Sequence, residues 1–151
     1  MASEMAPENS MEIIETTSLE ETYAFGRRFA QRLAVGDCVA LVGDLGAGKT
    51  ALARGIAMGL GLADQRMVSS PTFVLVQEYP TQPKLFHIDL YRLRQPAMEL
   101  ADLGLDEMLE EGIVLIEWAD RAEDALPKNR WEVQIVAEGE SARRIRITPP
   151  G

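Results

Sequence analysis

The chain has 151 residues, of which 46% are hydrophobic and 26% are charged. This composition is that of a globular protein long enough to bury one core, and it excludes the collagen-like and disordered classes. A net charge of −9 and a pI near 4.6 argue against a protein that holds nucleic acid by itself. Such proteins normally neutralise phosphates with a basic face.

Two further classes are excluded by pattern. No apolar run approaches the roughly 18 residues that a membrane span needs, and the acidic first ten residues lack a hydrophobic signal core. We therefore expect a cytoplasmic protein. Cys38 is the single cysteine, so neither a disulfide nor a cysteine metal site is expected. The twelve arginines still leave room for a local basic cluster, for instance at Arg143, Arg144 and Arg146.

The N-terminal part of the chain predicts a tail, a short strand and a helix. The first ten residues have no periodicity and are predicted to be a disordered tail, followed by one domain over residues 11–151. Residues 11–15 are compatible with a strand. Ser18 and Glu21 have the spacing of a capping box, and apolar side chains recur at helical intervals after them. This helix is expected to end near Gly36.

The next elements predict an alternation of strands and helices. Residues 37–42 form a short apolar strand segment, and a second helix is predicted from about Lys49 to Leu60. Residues 72–90 read as two strands joined by a proline-containing turn, and residues 96–109 as one or two short helices. This alternation predicts an α/β sandwich.

The C-terminal part predicts one buried strand and a hairpin. The run Ile113–Ile116 is continuously apolar, as in strands that are buried on both faces. Residues 131–136 and 143–148 resemble the two arms of a closing hairpin. Hairpins add antiparallel pieces to the predicted sandwich.

The segment GDLGAGKT, residues 43–50, fits the pattern G-x-x-x-x-G-K-[ST] between a strand and a helix. In such a loop the backbone N–H groups face one hollow at the positive end of the helix, where phosphates bind. Lys49 is predicted to reach the β and γ phosphates, and the Thr50 hydroxyl to ligate Mg²⁺. The residues expected to bind the nucleotide are Asp44, Leu45, Gly46, Ala47, Gly48, Lys49, Thr50 and Ala51.

Two carboxylates end apolar strand segments and are candidates for the hydrolytic site. Glu117 closes the run Ile113–Ile116 and is the better second Mg²⁺ ligand, since parallel core strands deliver their carboxyl ends to the phosphate loop. Asp89 closes the second arm of a predicted hairpin and is expected to orient either the attacking water or a water linked to the metal. His87, on the same arm, is interpreted as structural.

Two further features of the sequence restrict which nucleotide the chain binds and which reaction it performs. The chain lacks the N-K-x-D segment with which GTPases read guanine, so ATP is predicted. Arg92, Arg94 and Arg121 are possible lid arginines for a kinase, but no long insertion is available to form the lid. A stand-alone phosphotransferase acting on a metabolite and a nucleotide-dependent binding module without turnover remain alternatives.

Four motifs in order resemble the TsaE (YjeE) family, the bacterial ATPase of tRNA threonylcarbamoyladenosine biosynthesis. They are GDLGAGKT at 43–50, SSPTFVLVQEY at 69–79, HIDLYRL at 87–93 and LIEW at 115–118, and the resemblance extends from about residue 12 to 147. It implies a P-loop NTPase-like three-layer sandwich with a mixed, mainly parallel sheet. It also implies weak intrinsic Mg²⁺-dependent ATP hydrolysis that is stimulated in a complex with the TsaB and TsaD proteins. The complex, and not this subunit, would transfer the threonylcarbamoyl group and contact tRNA. Neither a membrane nor DNA is expected as a partner.

The resemblance also implies roles for individual residues. Thr50 and Glu117 would hold magnesium, Asp89 would serve hydrolysis together with Lys49, and Thr72 in SPTF would lie near the γ phosphate. The catalytic set expected on this basis is Asp89, Glu117, Lys49 and Thr72.

The remaining implications concern the surroundings of the site. Trp118 would lie beside it, and Tyr91 and Arg92 are candidates for partner contact. Adenine would lie near residues 17–19, although no motif identifies the contacting residue.

Overall fold

The computed structural model describes residues 11–44, 46–64, 76–91 and 93–151. The tail predicted over residues 1–10 lies outside them, as do Leu45, Thr72 and Arg92. The described strands are β1 (Glu12–Thr16), β2 (Cys38–Val42), β3 (Val76–Tyr79), β4 (Lys84–Asp89), β5 (Gly112–Glu117), β6 (Trp131–Ala137) and β7 (Arg143–Thr148). The described helices are α1 (Leu19–Ala30), α2 (Lys49–Gly59), α3 (Pro96–Asp102), α4 (Leu105–Glu111) and a 3₁₀ helix, Ala119–Ala125.

One mixed sheet contains all seven described strands, in the order β1-β7-β6-β2-β5-β4-β3. The four central strands β6, β2, β5 and β4 pair in parallel, whereas β1–β7, β6–β7 and β3–β4 are antiparallel. Every residue of β5 is buried, as expected of a parallel strand that is covered on both faces. The mixed α/β sheet with antiparallel hairpins confirms the fold predicted from the sequence.

Helices cover both faces of this sheet. Helices α1 and α2 pack on one face through Phe29, Leu52 and Ile56, against side chains such as Leu41 and Leu115. Helices α3 and α4 and the 3₁₀ helix pack on the other face, against a second apolar cluster. That cluster includes Ala40, Ile88, Leu90, Leu100, Leu105, Met108, Val114 and Ile116. The three-layer arrangement is therefore confirmed.

Helix α1 begins as the sequence predicts but ends earlier. The Ser18 hydroxyl accepts the N–H of Glu21 at 3.1 Å. The Glu21 carboxylate reaches back to the N–H of Thr17 at 2.7 Å rather than to that of Ser18. The expected end near Gly36 is wrong, because α1 stops at Ala30.

The early end of α1 has a local cause. The next three N–H groups bond to carbonyls only three residues before them, which tightens the chain out of the helix. Asp37 then closes a turn, since its carboxylate accepts the N–H of Ala34 at 2.8 Å and its own N–H bonds to the Ala34 carbonyl.

The three C-terminal arginines do not form one cluster. Ile145 and Ile147 of β7 belong to the core beneath α1 and α2. Since side chains alternate along a strand, Arg143 lies on this covered face, whereas Arg144 and Arg146 lie on the opposite face. A single basic patch at residues 143–146 is therefore excluded.

Cys38 is a buried core residue. Its side chain is part of the cluster beneath α3 and α4. Burial raises the pKa of the Cys38 thiol to about 12, so the thiolate is scarce at neutral pH. Within the described ranges no helix has both the length and the apolar character needed to cross a bilayer.

Candidate functional site

The carboxyl ends of β4 and β5 place Asp89 and Glu117 side by side. The two residues are register partners in a parallel pair, so their side chains share the face that α2 covers. The sequence had assigned Asp89 to a hairpin arm and only Glu117 to a parallel strand. Because β4 is antiparallel to β3 but parallel to β5, both carboxylates arrive at the same edge.

Lys49, the first residue of α2, lies at this edge. Its ammonium group donates hydrogen bonds to the carbonyls of Gly43 and of Asp44, the latter at 3.1 Å. The same Nζ lies 4.1 Å from the centroid of the Trp118 ring, close enough for a cation–π contact. The ammonium is thus held on the loop by neutral groups, which phosphate oxygens can replace as stronger partners.

The charges around Lys49 act against its burial. Burial lowers the pKa of the Lys49 ammonium, and the nearby carboxylates of Glu117, Asp89, Asp44 and Asp120 oppose that change, in this order. The site therefore concentrates several negative charges around one buried cation. Anionic phosphates that bind there need a further cation to neutralise their charge.

Two glycines let the loop lie against β6. A Cβ atom at Gly43 would lie 2.7 Å from the Ile135 carbonyl oxygen, which no real side chain tolerates. Gly48 has φ +107°, in the left-handed region that favours glycine. It directly precedes α2, whose first-turn N–H groups have no intrahelical acceptor. The loop therefore has the close packing and the helix terminus that phosphate binding requires.

Glu117 is buried and contacts a histidine. Its Oε2 lies 2.5 Å from His87 Nε2, and both side chains are almost fully buried. His87 Nδ1 has no hydrogen-bond partner within the described part of the chain. A hydrogen on Nε2 leaves Nδ1 with only a lone pair, which costs less to bury unpaired than a second N–H donor would. We infer that His87 donates to Glu117 and holds its carboxylate.

Asp89 is partly buried at the end of β4. Its Oδ1 accepts the N–H of Tyr91 at 2.9 Å, which closes the turn after the strand. Burial raises the pKa of Asp89 and the charge of Glu117 adds to this, whereas the Tyr91 N–H and Lys49 lower it. A carboxylate with a raised pKa beside a phosphate loop is a candidate functional group.

Trp118 follows Glu117 in a strained conformation. Its φ of 58° and ψ of 38° are left-handed, which is uncommon for a bulky residue. The N–H of Trp118 bonds to the Leu41 carbonyl at 3.1 Å, and its ring contacts Tyr91 at 4.8 Å between centroids. Such strain persists where the surroundings enforce it, often at functional sites. Here it turns the indole over Lys49.

A cavity of about 220 Å³ adjoins the loop at Gly48. It is lined by Leu19, Thr22, Gly48, Ala51, Glu140, Ser141 and Arg143. The cavity includes the first residue of α1, close to the region expected for adenine. A larger cavity of about 400 Å³ opens beside the 3₁₀ helix, and neither Lys49, Asp89 nor Glu117 lines it.

The described residues fit Mg²⁺ only if a bound nucleotide supplies some of its ligands. No group of three or more His, Cys, Asp or Glu side chains among them is arranged to hold a metal. Thr50, the second residue of α2, and Glu117 offer oxygen donors. Mg²⁺ is commonly held by one or two carboxylates together with substrate phosphates and waters. The donor set therefore fits magnesium that arrives with a nucleotide.

Several predicted site residues meet at this edge. The structure brings Lys49, Asp89, Glu117 and Trp118 together, and the roles assigned to them stay predictions. Leu45, Thr72 and Arg92 lie outside the described residues.

Sequence reasoning missed three contacts. It did not foresee the bond of His87 to Glu117, or that Arg143 binds the phosphate loop. Arg121, considered for a lid, instead donates to the carbonyls of Tyr91 and Leu93. No local sequence pattern predicts such contacts, because the two residues of each contact are distant in sequence.

Comparison with known proteins gives consistent findings. A family model described as "Threonylcarbamoyl adenosine biosynthesis protein TsaE" matches residues 16–145. The tRNA threonylcarbamoyladenosine biosynthesis protein TsaE of Bacillus subtilis is 41% identical over 138 residues, covering 90% of this chain and 84% of that protein. The protein of the same name from Rickettsia bellii is 38% identical, covering 93% and 95% respectively.

A solved structure extends the likeness to the fold. The crystal structure of YdiB from Bacillus subtilis superposes with a TM-score of 0.77 at 34% sequence identity. The match covers 97% of this chain and 90% of that one.

Proposed function

The chain belongs to the TsaE family, and from this premise we propose that it is an ATP-binding and ATP-hydrolysing subunit of the machinery that makes threonylcarbamoyladenosine in tRNA. We propose that it acts with TsaB and TsaD in the cytoplasm and meets tRNA only through that complex. ATP turnover supports repeated rounds of threonylcarbamoyl transfer to an adenosine near the anticodon, and the subunit does not perform the transfer. Its relatives carry the name of this pathway, which supports the assignment.

The observation that carries the proposal is the meeting of Lys49 with Asp89 and Glu117 at the edge of the sheet. The ammonium lies on the loop carbonyls within the field of both carboxylates. Lys49 binds the β and γ phosphates, since a phosphate oxygen is a better partner for an ammonium than a neutral carbonyl.

The Thr50 hydroxyl and the Glu117 carboxylate would hold Mg²⁺, together with phosphate oxygens. When bound, the ion neutralises negative charge on the phosphates. His87 keeps the Glu117 carboxylate in one orientation through the 2.5 Å contact, as outer hydrogen bonds commonly do for metal ligands.

Asp89 orients the water that attacks the γ phosphate. One of its oxygens is committed to the Tyr91 N–H, so the carboxylate is fixed while the other oxygen accepts a hydrogen bond from water. Positioning of this kind accounts for most of catalysis in phosphoryl transfer. Thr72 remains part of the proposal as a residue near the γ phosphate, although it lies outside the described residues.

The charge of the chain supports a subunit that does not hold tRNA directly. A net charge of −9 repels polyanions on average, and nucleic-acid affinity comes largely from neutralised phosphates. The partner proteins therefore provide the tRNA contacts in this proposal.

The decisive experiment measures ATP hydrolysis by the purified chain alone and with TsaB and TsaD. We expect slow hydrolysis alone and strong stimulation in the complex, together with several rounds of tRNA modification per complex when ATP is present. Asp89→Ala should abolish hydrolysis while ATP affinity is kept. Glu110→Gln, on the exposed face of α4, is the matched control and should behave as the wild type.

Other outcomes would contradict the proposal. Unchanged multi-round modification on addition of ATP would remove the role in the complex. Acceleration of ADP release by a metabolite, without any partner protein, would favour the stand-alone phosphotransferase. ATP binding without turnover in the complex would favour a binding module.

A further inference from the structure

Arg143 connects the phosphate loop to the other end of the chain. Its Nε donates a hydrogen bond to the Ala47 carbonyl at 2.6 Å, and its Nη2 lies 3.4 Å from the Gly46 carbonyl oxygen. Arg143 is the first residue of β7 and lies 96 residues from Ala47. Two successive carbonyls of the loop are therefore bound by one guanidinium group.

The other half of the guanidinium binds the turn between β6 and β7. Nη1 donates to the carbonyls of Ala142, Gly139 and Glu140, at 2.8, 3.2 and 3.3 Å. Among the described residues Arg143 has no carboxylate partner. Its rigid fork of donors serves only to hold two stretches of backbone in a fixed relation.

The contact determines where one N–H group of the loop points. The Ala47 carbonyl and the Gly48 N–H belong to one planar trans peptide and point in opposite directions. Because Arg143 holds the carbonyl, the Gly48 N–H is directed away from the guanidinium. A phosphate bound by the N–H groups of this loop then lies on the side opposite Arg143, which does not touch it.

The motif glycine leaves room for this arrangement. A Cβ atom at Gly48 would lie 3.3 Å from Arg143 Nε, closer than ordinary van der Waals contact. Gly48 thus permits the approach of the guanidinium as well as the left-handed backbone.

We propose that Arg143 is a positioning residue for nucleotide binding, which sets the Ala47–Gly48 peptide and links the phosphate loop to the β6–β7 turn. The inference rests on the proposed function, because it requires phosphate at this loop. Its effect extends to ADP as well as ATP, since it acts on the loop and not on the γ phosphate.

Neighbouring Arg144 provides a matched control. It lies on the opposite face of β7 and forms ion pairs with Glu15 and Glu138, both at 3.4 Å. The same substitution at Arg144 makes the same change of side chain without touching the loop.

The test compares Arg143→Lys with Arg144→Lys by calorimetric titration of Mg²⁺-ATP and Mg²⁺-ADP. Lysine keeps the charge but lacks the fork that reaches both stretches of backbone. We expect Arg143→Lys to weaken both nucleotides on the order of tenfold, and Arg144→Lys to leave both affinities within about twofold of the wild type. Arg143→Gln, which removes the charge as well, is the second variant should Arg143→Lys fold poorly.

A second readout separates positioning from general stability. Hydrogen exchange of the peptide covering residues 43–50 should accelerate in Arg143→Lys, while exchange in α1 is unchanged. A loss for ATP alone would indicate direct γ-phosphate contact and overturn the proposal, as would wild-type affinities for both nucleotides. Equally faster hydrogen exchange across the whole protein would mean that Arg143 only stabilises the fold, which would overturn the positioning role.

The outcomes also separate this inference from the proposed function. If the wild-type chain binds no Mg²⁺-nucleotide, the proposed function fails and the positioning role fails with it. If the wild type binds and Arg143→Lys binds equally well, only the positioning role is overturned.

Discussion

His87 and Glu117 form a buried contact across neighbouring strands, with His87 Nε2 at 2.5 Å from Glu117 Oε2. The histidine is 0% exposed and the glutamate 2%. A carboxylate buried to this degree needs a partner, because an unpaired charge in the interior is costly. The contact therefore stabilises a buried acidic side chain at the edge of the sheet.

Replacement of His87 by Leu should remove that partner with little change in side-chain volume. We expect the free energy of unfolding to fall by about 3 kcal/mol, measured by urea denaturation. In a cycle with Glu117→Gln, the double variant should lose less than the sum of the single losses, by at least about 1 kcal/mol. Strict additivity would mean that the two side chains do not stabilise each other.

Replacement of Lys49 by Met should weaken nucleotide binding without destabilising the fold. The variant loses the ammonium that we propose binds phosphate, so ATP affinity should fall about tenfold to a hundredfold. Burial lowers the Lys49 pKa, which means that folding disfavours the charge, and the melting temperature should be unchanged or higher. Lys84→Met, at the opposite end of β4, is the control. Equal ATP affinity in both variants would refute the role of Lys49.

Glu117→Ala should affect magnesium more than nucleotide. The lost carboxylate is one of the two protein oxygen ligands that we propose for the ion, while the loop at residues 43–50 is unchanged. Titrations of ATP with Mg²⁺ and with EDTA should therefore converge in the variant and differ in the wild type. A variant that retains the full magnesium dependence would exclude Glu117 as a ligand.

Asp89→Asn should stabilise the protein at neutral pH. The pKa of Asp89 is raised above 3.8 by burial and by Glu117, so the folded state binds the proton more tightly than the unfolded state does. Stability from this group is present at low pH and is lost as pH rises through the raised pKa. Asparagine keeps an acceptor for Tyr91 without the charge.

Urea denaturation at several pH values tests whether Asp89→Asn is stabilising at neutral pH. The urea midpoint of Asp89→Asn should exceed that of the wild type at pH 7, and the difference should shrink toward pH 4. Asp124→Asn, an exposed carboxylate in the 3₁₀ helix, should show no such trend. A destabilised Asp89→Asn variant at pH 7 would contradict the assignment.

Trp118 should report nucleotide binding by its fluorescence. The ammonium of Lys49 lies 4.1 Å from its ring centroid, and any movement of that charge toward phosphate changes the field on the indole. Trp118→Phe should abolish the change of emission on addition of Mg²⁺-ATP. Trp131→Phe should keep it, because Trp131 packs against Phe29 and Arg32 in the core. The reverse result would place the nucleotide elsewhere.

The sequence alone determined the parts of this protein that depend on neighbours in the chain. The cap at Ser18, the loop at residues 43–50, the buried run before Glu117 and the C-terminal hairpin all follow from residue spacing within one or two elements. The end of α1 was misplaced because the Asp37 turn competes with helical propensity.

Only the tertiary structure decided which of these parts meet. The strand order β6-β2-β5-β4 inserts β2 between β6 and β5 and pairs β4 in parallel with β5. This order sets Asp89 beside Glu117 and His87 against Glu117. It also brings Arg143 to a loop 96 residues away. Strand order and direction depend on how helices cover both faces of the whole sheet, and no local pattern contains that information.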